Sequence, residues 1–275
     1  MTLFPAFTEK QQYAICCVSI APIRLEPRHT AEQTSQLIYG EKLEILRYNE
    51  DTDWIKIRCA WDGYEGWCKM SQVLEINSRE YQKTKKLISQ THDGLIRCEG
   101  KDVRIPAGSE LSHAKKGKLP LGPVEGKFKG KKTEFSQLVS SADVVINNAL
   151  GYLYSPYQWG GRCTAGIDCS GLVQMAYKLA GFSVLRDASQ QATLGEEVHF
   201  LQEAKPGDLG FFDNAEGRIV HVGILIDQQT IIHATDTSGC VVRDKIDPAG
   251  IISVSLKKRT HNLRMLRRIL PPVAL

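Results

Sequence analysis

The stretch from Gly166 to Gly181 limits the fold more than any other part of the chain, because it sets a cysteine at the head of a helix. Gly166 and Asp168 precede Leu172, Val173, Met175, Ala176, Leu179 and Ala180, apolar residues at helical spacing, and Gly181 stands where a C′ residue stops such a helix. Cys169 is thereby predicted in the first turn. Unpaired N–H groups and the positive end of the helix dipole favour a thiolate there, the form of cysteine that attacks carbonyl carbon. A cysteine at this place also serves as a small apolar residue packing the turn. The choice between the two rests on partners elsewhere in the chain.

The run from Arg218 to Ile226 reads as a strand in which His221 interrupts apolar residues, and Thr230 to Ala234 reads as another, carrying His233. One buried histidine is ordinarily a core residue. Two of them with a cysteine at a helix head make the set of an activated thiol: Cys169 as nucleophile, His221 as general base and acid, His233 as the group that fixes the tautomer of His221. An imidazole can fill the orienting position usually given to Asp or Asn, since only one acceptor nitrogen must face the base. Such a set performs acyl transfer, in its simplest form the hydrolysis of an amide.

Taken in order, Tyr157-Gln158-Trp159-Gly160-Gly161-Arg162, Gly166 to Gln174, His221-Val222-Gly223-Ile224 and Ile232-His233-Ala234 resemble the motifs of the NlpC-type papain-like cysteine peptidases of bacteria. The resemblance covers about the last half of the chain. It implies an α+β, papain-like catalytic domain, a triad of Cys169, His221 and His233, and hydrolysis of peptide bonds in cell-wall stem peptides. It also implies that the Tyr157 hydroxyl joins the Cys169 backbone N–H in stabilising an oxyanion; packing on Trp159 is the plain alternative.

Before that domain, residues 1–78 carry strand-like runs: Tyr13 to Ile20, Glu41 to Tyr48 and Trp54 to Cys59, with Asp62-Gly63 as a tight turn before Tyr64-Glu65-Gly66-Trp67. Short strands at this spacing suggest a small barrel, and their order is similar to bacterial SH3-like domains. Residues 79–133 repeat the theme more weakly and are expected to form a second SH3-like barrel, with the lysine-rich stretch from Ala107 to Lys132 as solvated face and loops. The catalytic domain then spans 134–275, opening with a helix from Glu134 that presents Phe135, Leu138, Val139, Val144 and Val145. Its last segment, Leu263 to Leu270, reads as strand or helix.

Within the family the chain resembles the cytoplasmic γ-D-glutamyl-L-diamino acid endopeptidases, which act on murein tripeptides or tetrapeptides with a free N-terminal L-alanine. In that group the SH3-like domain closes one end of the cleft and binds the substrate's α-amino group. The resemblance assigns substrate binding to Glu32, Tyr64, Asp168, Ser170 and Ser189. Two carboxylates and a phenol would hold an ammonium, and a wall there would exclude longer N-terminal extensions. Other roles are open to these residues: surface charge for Glu32, turn aromatic for Tyr64, helix N-cap for Asp168 and for Ser189.

At 275 residues there is room for two or three domains. A net charge of +4 is too small to suggest nucleic acid, and no apolar run reaches membrane-spanning length. Met1 to Lys10 show neither the basic nor the apolar region of an export signal, so the cytoplasm is the expected place. Eight cysteines, at 16, 17, 59, 68, 98, 163, 169 and 240, have no zinc spacing, and seven are read as small apolar fillers, Cys163 lying near enough in sequence to Cys169 to pair with it under oxidation. No metal or organic cofactor is implied, because the thiol, imidazoles and backbone donors suffice. Two further readings use the same residues: a papain-like acyltransferase or amidase, and a wall-peptide-binding protein with a silent peptidase domain.

Overall fold

The computed structural model describes residues 12–49, 51–83, 87–92 and 94–270; the first ten residues, read above for an export signal, lie outside them. The chain divides after Leu138 into two compact units.

Alternating apolar and polar residues make strands of the first part of unit one: β1 (Tyr13–Cys16), β2 (Ile20–Arg24), β3 (Gln33–Ile38), β4 (Lys42–Tyr48), β5 (Trp54–Cys59), β6 (Glu65–Lys69) and β7 (Val73–Glu75). They pair antiparallel in the order β3-β2-β6-β5-β4-β1-β7. Inward positions of all seven strands meet in one core that includes Ala14, Ile23, Leu37, Leu43, Ile57, Cys68 and Val73. The Asp62-Gly63 turn forms as expected. The Asp62 carboxylate accepts the Tyr64 N–H (3.0 Å), and the Cys59 N–H reaches the Tyr64 carbonyl (2.9 Å).

After helix α1 (Ser78–Gln82) come β8 (Leu87–Ser89), β9 (Gly94–Cys98), β10 (Lys101–Ile105), β11 (Leu119–Leu121), β12 (Val124–Lys129) and β13 (Lys132–Glu134). Four of them form a sheet in the order β10-β9-β12-β11, and β8 pairs with β13. Ile96, Ile105, Leu111 and Leu119 pack around Tyr39, a residue of the preceding strand module. The Tyr39 hydroxyl donates to the Pro120 carbonyl (2.6 Å), and the Glu110 N–H donates to the Tyr39 carbonyl (2.9 Å). The two modules therefore share a core, which is why they make one compact unit.

In unit two the helix expected from Glu134 begins later. Lys132–Glu134 are taken up by pairing with β8, Phe135–Gln137 form a short 3-10 turn, and Ser141 caps α2 (Ala142–Leu150) by accepting the Val144 N–H (3.3 Å). Val139, assigned to an apolar helix face, is 61% exposed. The short ribbon β14 (Arg162–Cys163) and β15 (Gly166–Ile167) leads into α3 (Cys169–Lys178), followed by α4 (Ala188–Gln191) and β16 (Glu196–Val198). The remaining strands are β17 (Leu209–Asp213), β18 (Ile219–Leu225), β19 (Thr230–Thr235), β20 (Cys240–Asp247), β21 (Gly250–Ser253) and β22 (Lys258–Arg268). Leu263 to Arg268 are thus strand. Since β21 also pairs with β22, strands β17 to β22 close into a six-stranded barrel, with β16 added outside β22.

Helix α3 is buried over its whole length and packs against α2, β18 and β19. Its end is a Schellman turn: Gly181, at φ +86°, sends its N–H to the Lys178 carbonyl (3.0 Å), and Phe182 sends its own to Tyr177 (2.9 Å). A helix fixed at both ends and on all sides holds its first residue in place. That residue is Cys169.

Candidate active site

Asp168 is the N-cap of α3, in extended backbone, and its Oδ1 accepts the Gly171 N–H at 2.7 Å. Its Oδ2 accepts the Gly160 N–H at 2.8 Å, which presses the loop 158–161 onto the first helical turn. A Cβ on Gly171 would lie 2.3 Å from the Gly161 carbonyl oxygen, so this approach requires glycine. Arg186, a buried residue, grips the same carboxylate with both terminal nitrogens (3.0 Å to Oδ1, 2.6 Å to Oδ2) and also donates to the Ser170 hydroxyl (2.8 Å). Burial alone would push the guanidinium down; the Asp168 charge and hydrogen bonds outweigh it and hold Arg186 above its ordinary value.

On the barrel side, a bulge re-aims β18. Asp213 pairs with Ile219 and Phe212 with His221, leaving Val220 as the extra, exposed residue and turning His221 inward. Strand alternation then sets His221, His233 and Asp244 diagonally across β18, β19 and β20. His221 Nε2 lies 2.8 Å from His233 Nδ1, and His233 Nε2 lies 3.2 Å from Asp244 Oδ2. Asp244 Oδ1 accepts the Val254 N–H (2.7 Å). The order of these contacts fixes the tautomers. A carboxylate accepts, so His233 carries its proton on Nε2 and offers a lone pair at Nδ1. His221 must then donate from Nε2, which leaves its Nδ1 as the basic nitrogen. The His221 ring also stacks on His261 (centroids 4.1 Å apart, planes 22° apart).

The Cys169 sulfur accepts backbone N–H groups of Val222, the residue after His221, and of its own neighbour Ser170. Cys169 is 5% exposed and His221 6%. The thiolate expected from the helix end does not prevail. Burial, together with the Asp168 charge, pushes the Cys169 thiol up to about 12, against the lowering by those two N–H groups. Burial, then His233 and His261, push His221 well below the ordinary histidine value. The resting pair is a neutral thiol and a neutral imidazole. Desolvation over a fully enclosed site exceeds what one helix terminus supplies.

Tyr157 is held beside the nucleophile by its N–H to the Gly239 carbonyl (2.8 Å) and by a bridge to Ile167. Burial, then the charges of Cys169, Asp168 and Asp236, raise its phenol, which keeps it a proton donor. The Cys169 N–H is the first of α3 and has no helical carbonyl to meet it. These are the two donors that the resemblance assigns to an oxyanion.

The other residues singled out from sequence lie as follows. Asp168 and Ser170 stand next to Cys169, but their polar atoms are engaged: Ser170 Oγ donates to Asp168 Oδ1 (3.3 Å) while accepting from Arg186. Ser189 is exposed within α4, whose N-cap is Asp187, not Ser189. Glu32 and Tyr64 belong to unit one, where Glu32 is exposed just before β3 and Tyr64 packs half-buried on the first core. Cys163 is buried in β14, with its sulfur 3.8 Å from the Gly166 carbonyl oxygen. Two residues of the site were not anticipated. Asp244 could have been read from β20, where it is buried between exposed Arg243 and Lys245. Arg186 carries no such local signal.

Residues 154–260 match the NlpC/P60 family, and residues 23–73 match the bacterial dipeptidyl-peptidase SH3 domain. A γ-D-glutamyl-L-lysine dipeptidyl-peptidase of Bacillus subtilis is 31% identical over 218 residues, spanning 74% of this chain and 72% of the relative. Dipeptidyl-peptidase 6 of Lysinibacillus sphaericus is 28% identical over 244 residues, spanning 81% of this chain and 87% of its own. The crystal structure of an NlpC/P60 family protein from Bacillus cereus superposes with a TM-score of 0.77 at 20% identity, over 94% of this chain and all of that one, a likeness of fold.

Proposed function

Because the chain belongs to the NlpC/P60 family of cysteine peptidases, we propose that it hydrolyses the bond between γ-D-glutamate and the following L-diamino acid in murein stem peptides whose N-terminal L-alanine is free. The observation that carries the chemistry is the directed chain Asp244, His233, His221, with contacts of 3.2 and 2.8 Å, ending at a basic nitrogen on the strand that also touches the Cys169 sulfur. The choice of bond is supported by the names of the two relatives, both of which release dipeptides by name.

Each step follows from the atoms in place. As the sulfur of Cys169 attacks the carbonyl carbon, its proton passes to His221 Nδ1. The tetrahedral oxyanion is met by the Cys169 N–H and the Tyr157 hydroxyl. The imidazolium formed on His221 is stabilised through His233 by Asp244, in the way a carboxylate stabilises a catalytic imidazolium in hydrolases generally. The same proton then goes to the departing amine, leaving a thioester. Water, deprotonated by His221 Nδ1, attacks that thioester and restores the thiol. In this reading the enzyme works in the cytoplasm on recycled wall fragments, a place suited to a chain with eight free thiols.

The test is mass-resolved hydrolysis of L-Ala-γ-D-Glu-meso-diaminopimelate by wild type and Cys169→Ala. Wild type alone should release L-Ala-D-Glu and diaminopimelate, and acylating the alanine amine should abolish cleavage. Equal cleavage of the acylated peptide would remove the free-amine requirement while leaving the peptidase. Transfer of the dipeptide to an added amine in place of water would support a transferase.

A further inference from the structure

Three imidazoles, not two, meet on the barrel side of the site. Among the described residues, His221, His233 and His261 are the one group of side chains whose ligand atoms converge like a metal site, each nitrogen within 4.8 Å of the others. The His261 ring lies 5.7 Å from that of His233, at 88° to it, and stacks on His221. We propose that this cluster binds a single divalent cation of the zinc class, which takes the place of the proton shared by His221 and His233 and switches the peptidase off.

The ligand set is suited to such an ion. Imidazole nitrogens bind zinc at about 2.0–2.1 Å, which puts two ligands of a tetrahedral ion about 3.3 Å apart. The His221 and His233 nitrogens, at 2.8 Å, need open by only about half an ångström. Behind His233 stands Asp244, giving the carboxylate–histidine–metal arrangement that orients a ligand and strengthens it as a donor. Its acceptance of the Nε2 proton leaves His233 Nδ1 as the lone pair facing the ion. His261 has its Nδ1 on the Thr260 hydroxyl (2.9 Å), so Nε2 is the free nitrogen. Its ring lies nearly parallel to His221, and must swing off that stack to aim at the ion. His261 is also the only one of the three that is partly exposed, so it has room to swing and offers a way in.

Inhibition follows from the tautomer. An ion on His221 Nε2 requires the ring's single proton to move to Nδ1, the nitrogen that otherwise takes the proton of Cys169. The thiol then has no base. This consequence rests on the peptidase reading; binding of the ion does not.

The experiment measures zinc binding apart from catalysis, by competition with a chromogenic chelator, on Cys169→Ala. We expect one ion per chain with the nucleophile absent, and at least about tenfold weaker binding when His261→Phe or Asp244→Asn is added. Cobalt bound to wild type should show tetrahedral visible bands without a sulfur-to-metal charge-transfer band, a readout that needs no variant to fold. Loss of binding in Cys169→Ala, a sulfur charge-transfer band, or undiminished affinity after His261→Phe, with folding verified by circular dichroism, would each overturn the site. If zinc binds Cys169→Ala while wild type fails to cut the tripeptide, the metal site stands and the peptidase reading falls. If wild type cuts the peptide equally well with zinc bound, the proposed switch is wrong.

Discussion

Cys169 lies between two buried polar assemblies that differ in kind. On the helix side, Asp168 and Arg186 form a full ion pair with five hydrogen bonds converging on the carboxylate: two from Arg186, one each from Gly160, Gly171 and Ser170. On the barrel side, His221, His233 and Asp244 form a single hydrogen-bonded file, and burial keeps His221 uncharged at rest. A fixed pair of charges holds a loop against a helix end and has no proton to give. A file of hydrogen-bonded imidazoles can pass a charge along because the proton of each lies on the path to the next. The same low-dielectric setting thus yields a rigid side and a responsive side.

The sharpest way to break that contrast is to remove Arg186. Arg186→Met leaves Asp168 buried with its charge unmatched and should cost about 3–5 kcal/mol of stability, read as a lower midpoint in urea. The double variant with Asp168→Asn should regain much of that loss, since no bare charge remains. If Arg186→Met melts like wild type, the helix side is not an architectural ion pair.

Tyr157→Phe should act on rate alone. Losing one of two oxyanion donors is expected to lower kcat by about 100-fold with the melting temperature unchanged. A change confined to KM would mean that the phenol contacts bound substrate without following the developing charge.

Asp244→Asn comes next, at about tenfold in kcat, because it acts on His221 only through His233 and an amide can still accept the His233 proton. A loss as large as that from Cys169→Ala would show that the tautomer itself depends on the carboxylate.

How far these features could be read beforehand depends on how locally each is encoded. Cys169 at a helix head follows from helical spacing and Asp168, and the Gly181 stop turned out to be a Schellman turn. His221 and His233 lie in strands whose alternation is plain. Asp168 as a cap was readable, but not its ion pair, because Arg186 is 18 residues away with no periodicity linking them. Closure of the barrel by β21 on β22 is equally non-local. The helix expected from Glu134 failed because an apolar spacing was counted without the competing claim of β8 on Lys132–Glu134. The glycine- and lysine-rich stretch hid β11 and β12, whose exposed faces leave only Leu119 and Gly126 buried. The thiolate expectation failed on magnitude, since a helix end was weighed without the burial around it.

Acid exposes the last difference between the two sides. Burial holds His221 well below its unfolded value and His261 at about 4, so between that range and about 6.5 the unfolded chain binds protons that the folded chain refuses. Stability contributed by these neutral rings is complete above about pH 6.5 and declines as pH falls toward their folded values. The wild-type melting temperature should therefore drop between pH 7.5 and 5, and His261→Phe should drop less because one refusing group is gone. The rate has the same sign. Hydrolysis needs His221 neutral, so kcat/KM should hold its plateau below pH 6.5 and fall only as His221 is finally protonated. A plateau that instead ends near 6.5 would place His221 in contact with water, and the barrel side would lose the dryness that separates it from an ordinary surface histidine.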